Sequence, residues 1–109
     1  MYLFNTTFIV SIKETDWWSD WMEGLYIPTL SSQVADSRVE LYKIYDAPSP
    51  SDEPCATYSC QWQVSYLSDL KALQDESETL FSRFSKRMGT GVLQFSTLMK
   101  GVEIKSEKL

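Results

Sequence analysis

A tryptophan-rich segment, residues 16–30 (DWWSDWMEGLYIPTL), constrains the fold more than any other stretch, because it holds three of the chain's four tryptophans. Trp18, Trp21, Met22 and Leu25 recur at i, i+3, i+4 and i+7, the spacing that places side chains on one face of a helix. A face this large and apolar has to be covered. The segment therefore predicts an amphipathic helix packed against a sheet formed by the remaining chain.

The end of this helix is expected near Tyr26, because a proline follows shortly after it. Pro28 lacks a backbone donor and disfavours helical geometry at Ile27. The sequence predicts a kink or a new turn at this point, ending near Gln33.

The remaining chain shows the patterns of four strands and a second helix. Alternating polar and apolar residues predict the strands, and leucine and phenylalanine at helical spacing predict the helix. The predicted strands are 2–12, 37–46, 55–65 and 92–104, and the predicted helix is 66–88. Charges on both faces of the second strand favour an edge position. The βαββαβ order predicts a ferredoxin-like α+β fold, a four-stranded antiparallel sheet with both helices on one face.

A chain of 109 residues is typical of one domain. We assign residues 1–104 to that domain and residues 105–109 to a polar C-terminal tail.

The sheet face away from the helices has no cover in this architecture. It carries Leu3 and Ile9 beside the polar residues Asn5 and Thr7, and the third strand adds Gln61. A partly apolar face without cover implies a partner. We therefore expect a homodimer formed through the open sheet face.

Charge and hydropathy argue against several classes of partner. The net charge is −5 and no basic cluster is present, which disfavours nucleic acid and anionic membranes. No run of 18 apolar residues is present, so no membrane span is expected. The N-terminal stretch has neither a positive region nor a small-residue cleavage site, which predicts a cytoplasmic protein without a signal peptide.

The chain has no histidine, which removes the usual general base, the common proximal haem ligand and most catalytic zinc sites. Cys55 and Cys60 have the spacing of neither a zinc site nor a redox pair. On one strand, five residues apart, they would point to opposite faces. We expect no metal and no cofactor.

The pattern W-x-x-W-M followed by I-P resembles an uncharacterised bacterial family, a domain of unknown function. Its residues in this chain are Trp18, Trp21, Met22, Ile27 and Pro28. The family pattern often has a histidine before the I-P pair, where this chain has a tyrosine.

The resemblance extends to the later strands, through the Gln61–Trp62 pair and the sequence Phe95-x-Thr97-Leu98. The fold it implies is the dimeric α+β barrel. That superfamily includes antibiotic-biosynthesis-type and haem-degrading monooxygenases. The resemblance thus implies a homodimer with a cavity between each sheet and its helices, or within the barrel.

Five residues are candidates for binding a small apolar or aromatic ligand, while no catalytic residue is identified. These candidates are Asn5, Thr7, Tyr26, Gln61 and Trp62.

Two alternatives stand beside ligand binding. A cofactor-independent monooxygenase needs no histidine and would orient an aromatic substrate through Asn5, Gln61, Tyr26 or Tyr58. A purely structural or protein-interaction dimer needs no ligand at all. Haem-degrading relatives use an asparagine on the first strand, a tryptophan on the third and a histidine ligand. Here the histidine is missing, and strand alternation places Asn5 and Trp62 on opposite faces.

Overall fold

A computed structural model describes residues 1–45, 47–50 and 52–104, so the predicted polar tail lies outside the described residues. The strands are β1 (Tyr2–Ser11), β2 (Arg38–Ile44), β3 (Cys55–Val64) and β4 (Val92–Lys100). The α-helices are α1 (Thr15–Trp21), α2 (Ile27–Ser31) and α3 (Leu67–Met88). A 3-10 turn, Ile12–Glu14, precedes α1, and a π-helical segment, Met22–Tyr26, joins α1 to α2.

The four strands form one antiparallel sheet in the order β2-β3-β1-β4. This order and the element sequence confirm the predicted ferredoxin-like α+β fold. The prediction that β2 is an edge strand is also confirmed. β4 ends earlier than predicted, at Lys100, because its partner strand β1 begins at Tyr2, the residue paired with Lys100.

The core lies between the sheet and the helices and is largely aromatic. Phe8 of β1 lies at its centre, with ring centroids 5.4 Å from Trp18, 5.6 Å from Tyr26 and 5.8 Å from Phe81. Burying side chains of this size contributes roughly 1.5–3 kcal/mol each to folding. The tryptophan-rich segment therefore covers the sheet as its helical spacing predicted.

The helix does not break at Pro28 but passes through it by way of the π segment. The backbone N–H of Ile27 donates to the carbonyl of Met22, five residues back. This wider turn inserts one extra residue, so the buried stripe moves on from Leu25 to Tyr26 and Leu30, both fully buried. Pro28 lies in the first turn of α2, where a proline is tolerated.

The end of α3 is fastened to the start of α1. Arg87 Nη1 lies 2.5 Å from Glu14 Oε2, and the guanidinium carbon of Arg87 lies 4.3 Å from the ring centroid of Trp17. Gly89 follows with a positive φ of 51°, which glycine adopts without strain. The chain can therefore turn directly from α3 into β4.

Candidate functional site

The structure divides the five candidate residues between the two faces of the sheet. Asn5 is paired with Gln61, and both lie with Thr7 on the face away from the helices, which we call the open face. Trp62 and Tyr26 lie on the covered face and are fully buried. Asn5 and Trp62 thus point to opposite faces, as strand alternation predicted.

The polar residues at the centre of the open face form a chain of hydrogen bonds. Gln61 Nε2 donates to Ser59 Oγ at 3.3 Å, and Ser59 Oγ donates to Asn5 Oδ1 at 2.5 Å. Asn5 Nδ2 in turn donates to Thr7 Oγ1 at 3.3 Å. Ser59 links the others, although it is not among the candidates predicted from the sequence. The sequence feature that could have identified it is its position two residues before Gln61, which puts both side chains on the same face of β3.

Apolar side chains border this polar strip on both sides. On β4, Leu93 and Phe95 are 40% and 56% exposed, and Met99 is also exposed. On β2, Tyr42 and Ile44 are exposed on the same face. The open face therefore has a hydrogen-bonded polar centre and an apolar margin on β4. Its β2 margin is mixed, because Arg38 and Glu40, which form an ion pair, lie on that face beside Tyr42 and Ile44.

A cavity of about 400 Å³ lies at one end of the open face. Ile9 and Leu93, which are paired across β1 and β4, supply apolar walls. The other lining residues are Ser11, Pro50, Glu53, Cys55 and Thr90. This cavity is not evident from the sequence, because its walls come from strand ends and loops that are distant in sequence.

The carboxylate of Glu53 is held at the edge of this cavity. The Ser11 hydroxyl donates to Glu53 Oε1 at 2.7 Å, and Lys13 Nζ lies 3.2 Å from the same oxygen. These two contacts, the Ser11 bond first, lower the pKa of Glu53. At neutral pH this margin of the cavity therefore carries an ion pair, in which the negative charge of Glu53 is balanced by Lys13.

Tyr26 belongs to a separate polar chain on the covered face. Its hydroxyl lies 2.8 Å from Ser77 Oγ and 3.4 Å from Thr6 Oγ1, and Thr6 Oγ1 lies 2.9 Å from Ser96 Oγ. Burial raises the pKa of the Tyr26 phenol, so it stays protonated at physiological pH. Tyr26 and Trp62 therefore pack on the covered face of the sheet and do not line the open face.

Among residues 1–45, 47–50 and 52–104, no three histidine, cysteine or carboxylate side chains come together in a way that could hold a metal ion.

No helix in the described part of the chain has both the length and the apolar character needed to cross a membrane.

Comparison with known proteins agrees with this description. The model of a family described as "Domain of unknown function (DUF4286)" matches residues 1–102. This match confirms the resemblance seen in the tryptophan-rich segment and the later strands. No curated protein matches the sequence significantly.

Several solved structures share the fold at low sequence identity. A dimeric ferredoxin-like protein from an uncultured marine organism is 10% identical, with a TM-score of 0.63 over 94% of this chain and 98% of its own. HapK from Hahella chejuensis is 13% identical, with a TM-score of 0.58 over 96% of each chain. An ethyl tert-butyl ether D (EthD) family protein from Bacillus halodurans is 14% identical, with a TM-score of 0.55 over 94% of this chain and 100% of its own.

Proposed function

This chain belongs to the DUF4286 family of unknown function, and from that premise we propose that it works as a homodimer whose two open faces meet and bind a small apolar or aromatic molecule between them. The observation that carries the proposal is the absence of charge on most of the open face. On β1, β3 and β4, which are described in full, none of the residues on that face is charged. In a chain with 23% charged residues, this favours a face that is covered in the working protein.

The exposed apolar residues at the two edges of the open face support a second copy as the cover. Phe95 is 56% exposed on edge strand β4, and Ile44 is 40% exposed on the opposite edge. Most homodimers are two-fold symmetric, so each patch can meet the same or the other patch of its copy. The solved marine protein with this fold is itself described as dimeric.

The polar centre supports the ligand. Two opposed open faces would place Asn5, Thr7 and Gln61 of both protomers around one space. Asn5 and Gln61 are only partly buried in a single protomer, so their amides can reorient toward a bound hydroxyl or carbonyl. The cavity beside Ile9 and Leu93 would extend the same space.

Light scattering at micromolar concentration tests the homodimer. We expect a dimer mass for the wild type and a monomer mass for Phe95→Glu, because a buried carboxylate without a partner strongly disfavours association. Leu67→Glu is the matched control, since Leu67 is similarly exposed but lies at the start of α3, away from the open face. A monomeric wild type, or equal masses for the two variants, would contradict the proposal.

Titration with a flavonoid such as quercetin, followed by tryptophan fluorescence, tests the ligand. We expect saturable quenching with the dimer and none with monomeric Phe95→Glu. Gln61→Ala should weaken binding without changing the mass. A dimer that shows no saturable quenching would agree with the homodimer and contradict the proposed ligand binding.

The two alternatives predict different results in the fluorescence titration and in a measurement of oxygen uptake. A cofactor-independent monooxygenase predicts oxygen uptake with a quinol or flavonoid, reduced in Asn5→Ala and Gln61→Ala. A structural or protein-interaction dimer predicts neither quenching nor uptake, and one observation favours it. The chain from Gln61 through Ser59 to Asn5 is already hydrogen-bonded within one protomer.

The cytoplasmic location stays a prediction of the sequence.

A further inference from the structure

The two edges of the sheet differ in how they are protected against pairing with a further strand. β2, at one edge, carries Arg38, Glu40 and Lys43 among its seven residues, and all three are exposed. Charged side chains of this kind disfavour the addition of another strand. β4, at the other edge, has its one charged residue, Lys100, at its last position and contains neither proline nor glycine. The β4 edge therefore lacks the usual protection.

The hydrogen bonds at the two ends of β4 show which of its backbone groups face outward. Ser11 N–H donates to the Gly91 carbonyl at 2.8 Å, and Gly101 N–H donates to the Met1 carbonyl at 2.9 Å. Both pairs continue the register of β1 and β4, in which hydrogen-bonded pairs alternate with non-bonded pairs. The odd-numbered residues of β4 therefore bond to β1, while the even-numbered residues direct their backbone N–H and carbonyl groups away from the sheet. These outward-facing residues are Val92, Gln94, Ser96, Leu98 and Lys100.

The outer side of β4 is open to another chain. In the part of the chain that the structure describes, no strand lies beyond β4 in the sheet order. Ser96 and Lys100 have their side chains on the covered face, yet both are exposed, so the helices do not extend over this edge. A row of outward-facing N–H and carbonyl groups on an uncharged strand is a template for strand pairing.

The sequence of β4 fits a second copy of itself. In an antiparallel pair centred on Ser96, all nine residues of one strand lie opposite the nine of the other. Even-numbered residues then lie opposite even-numbered residues, so every outward-facing N–H and carbonyl group has a partner. On the side of the open face, Leu93 lies opposite Met99, which is a favourable apolar pair. Lys100 lies opposite Val92 and not opposite its own copy, so like charges do not meet.

We infer that β4 pairs edge to edge with β4 of a second copy, in antiparallel register about a two-fold axis at Ser96. Such a pair is closed, because the edges that stay outside are the charged β2 strands. The interface uses the edge of the sheet, whereas the homodimer proposed above uses its open face, so each can form without the other. Where both form, an edge pair joins two open-face dimers.

Disulfide cross-linking of the full chain tests the register. Ser96→Cys places two thiols opposite each other on the axis, with Cα atoms about 5.5 Å apart, a separation typical of disulfides. We expect mild oxidation to give a covalent dimer, with the link identified by mass spectrometry of the digested protein. Gln94→Cys is the matched control, since its two copies would lie roughly 13 Å apart along the strands and should not be linked. Cys55 and Cys60 are present in both variants and in the wild type, which gives the background.

Light scattering from micromolar towards millimolar concentration tests the interface itself. One pair of strands is a small interface, so we expect the mass of the wild type to double only as concentration rises. Ser96→Pro should abolish the doubling because it removes the N–H on the axis, and it should fold because that N–H does not bond to β1. Ser96→Ala is the control and should still double, since it loses only the hydroxyl contact with Thr6.

Several results would overturn the inference. These are equal cross-linking in Ser96→Cys and Gln94→Cys, and equal masses for Ser96→Pro and Ser96→Ala at every concentration. A wild type that does not double, with no cross-link in Ser96→Cys, would also overturn it, and is the result expected if β4 pairs with an extended segment of another protein. Failure of the open-face homodimer is distinguishable, because it would lower the mass at micromolar concentration to that of a monomer and leave the Ser96→Cys cross-link unchanged.

Discussion

The hydroxyl of Tyr26 lies 2.8 Å from Oγ of Ser77, a contact that joins the π segment to the middle of α3 inside the core. Both residues are almost fully buried, and Ser77 is the one polar position in the apolar stripe of α3. The pair explains that interruption, because a buried hydroxyl on α3 gives the phenol the partner that it needs. The same contact holds the π segment against the middle of α3.

Tyr26→Phe should lower the free energy of unfolding by about 1–2 kcal/mol, because it leaves the Ser77 hydroxyl without this buried partner. Urea unfolding monitored by circular dichroism measures the change. Tyr42→Phe is the control and should change stability by less than about 0.5 kcal/mol, since the Tyr42 hydroxyl bonds Glu40 at the surface. A Tyr26→Phe variant as stable as the wild type would show that the contact contributes nothing.

Stability should fall as pH rises above about 9. Burial raises the pKa of the Cys60 thiol from 9.0 to about 12, and burial also raises the pKa of the Tyr26 phenol. Over this range the unfolded chain loses protons that the folded chain retains, so rising pH favours unfolding. Each group contributes a slope of up to about 1.4 kcal/mol per pH unit.

Urea unfolding at pH 8, 9, 10 and 11 measures this slope. The slope should be smaller in Cys60→Ala than in the wild type, even though the variant is less stable at every pH. Identical slopes in the two proteins would rule out Cys60 as a source of the pH dependence.

Gly24→Ala should raise the free energy of unfolding by roughly 0.5–1 kcal/mol. Gly24 lies within the π segment, and a Cβ there would meet nothing within 4 Å. Alanine therefore removes backbone freedom from the unfolded chain without a clash. Gly89→Ala should instead lower the free energy of unfolding, by about 1 kcal/mol, because the φ of 51° at Gly89 disfavours an L side chain. Thermal unfolding of both variants checks the pair, and a destabilised Gly24→Ala would show that the π turn itself requires glycine.

Arg87→Ala should lower stability by about 1 kcal/mol, since it removes both the ion pair with Glu14 and the cation–π contact with Trp17. Lys86→Ala, an exposed neighbour at the same end of α3, is the control and should cost less than about 0.5 kcal/mol. Repeating the measurement in 1 M NaCl should reduce only the part of the stability loss that comes from the ion pair. An equal loss of stability in Arg87→Ala and Lys86→Ala would mean that positive charge at the end of α3, and not the two specific contacts of Arg87, provides the stabilisation.

The repeating patterns of this sequence determined its secondary structure and its layers. Alternation placed Asn5 and Trp62 on opposite faces, and mixed charge placed β2 at an edge. The spacing of the tryptophans identified the covering helix. Each of these predictions depends on local periodicity, which a single sequence carries directly.

Only the tertiary structure decided which candidates share a surface. Tyr26 was predicted to lie near the end of the helix and to be a candidate for ligand binding, but the π turn continues the helix and directs Tyr26 into the core. Ser59, which joins Gln61 to Asn5, became notable only once the side chains were placed. The reason is physical, since hydrogen bonds and cavities depend on how distant segments pack, and one inserted residue in a helical turn rotates every side chain after it.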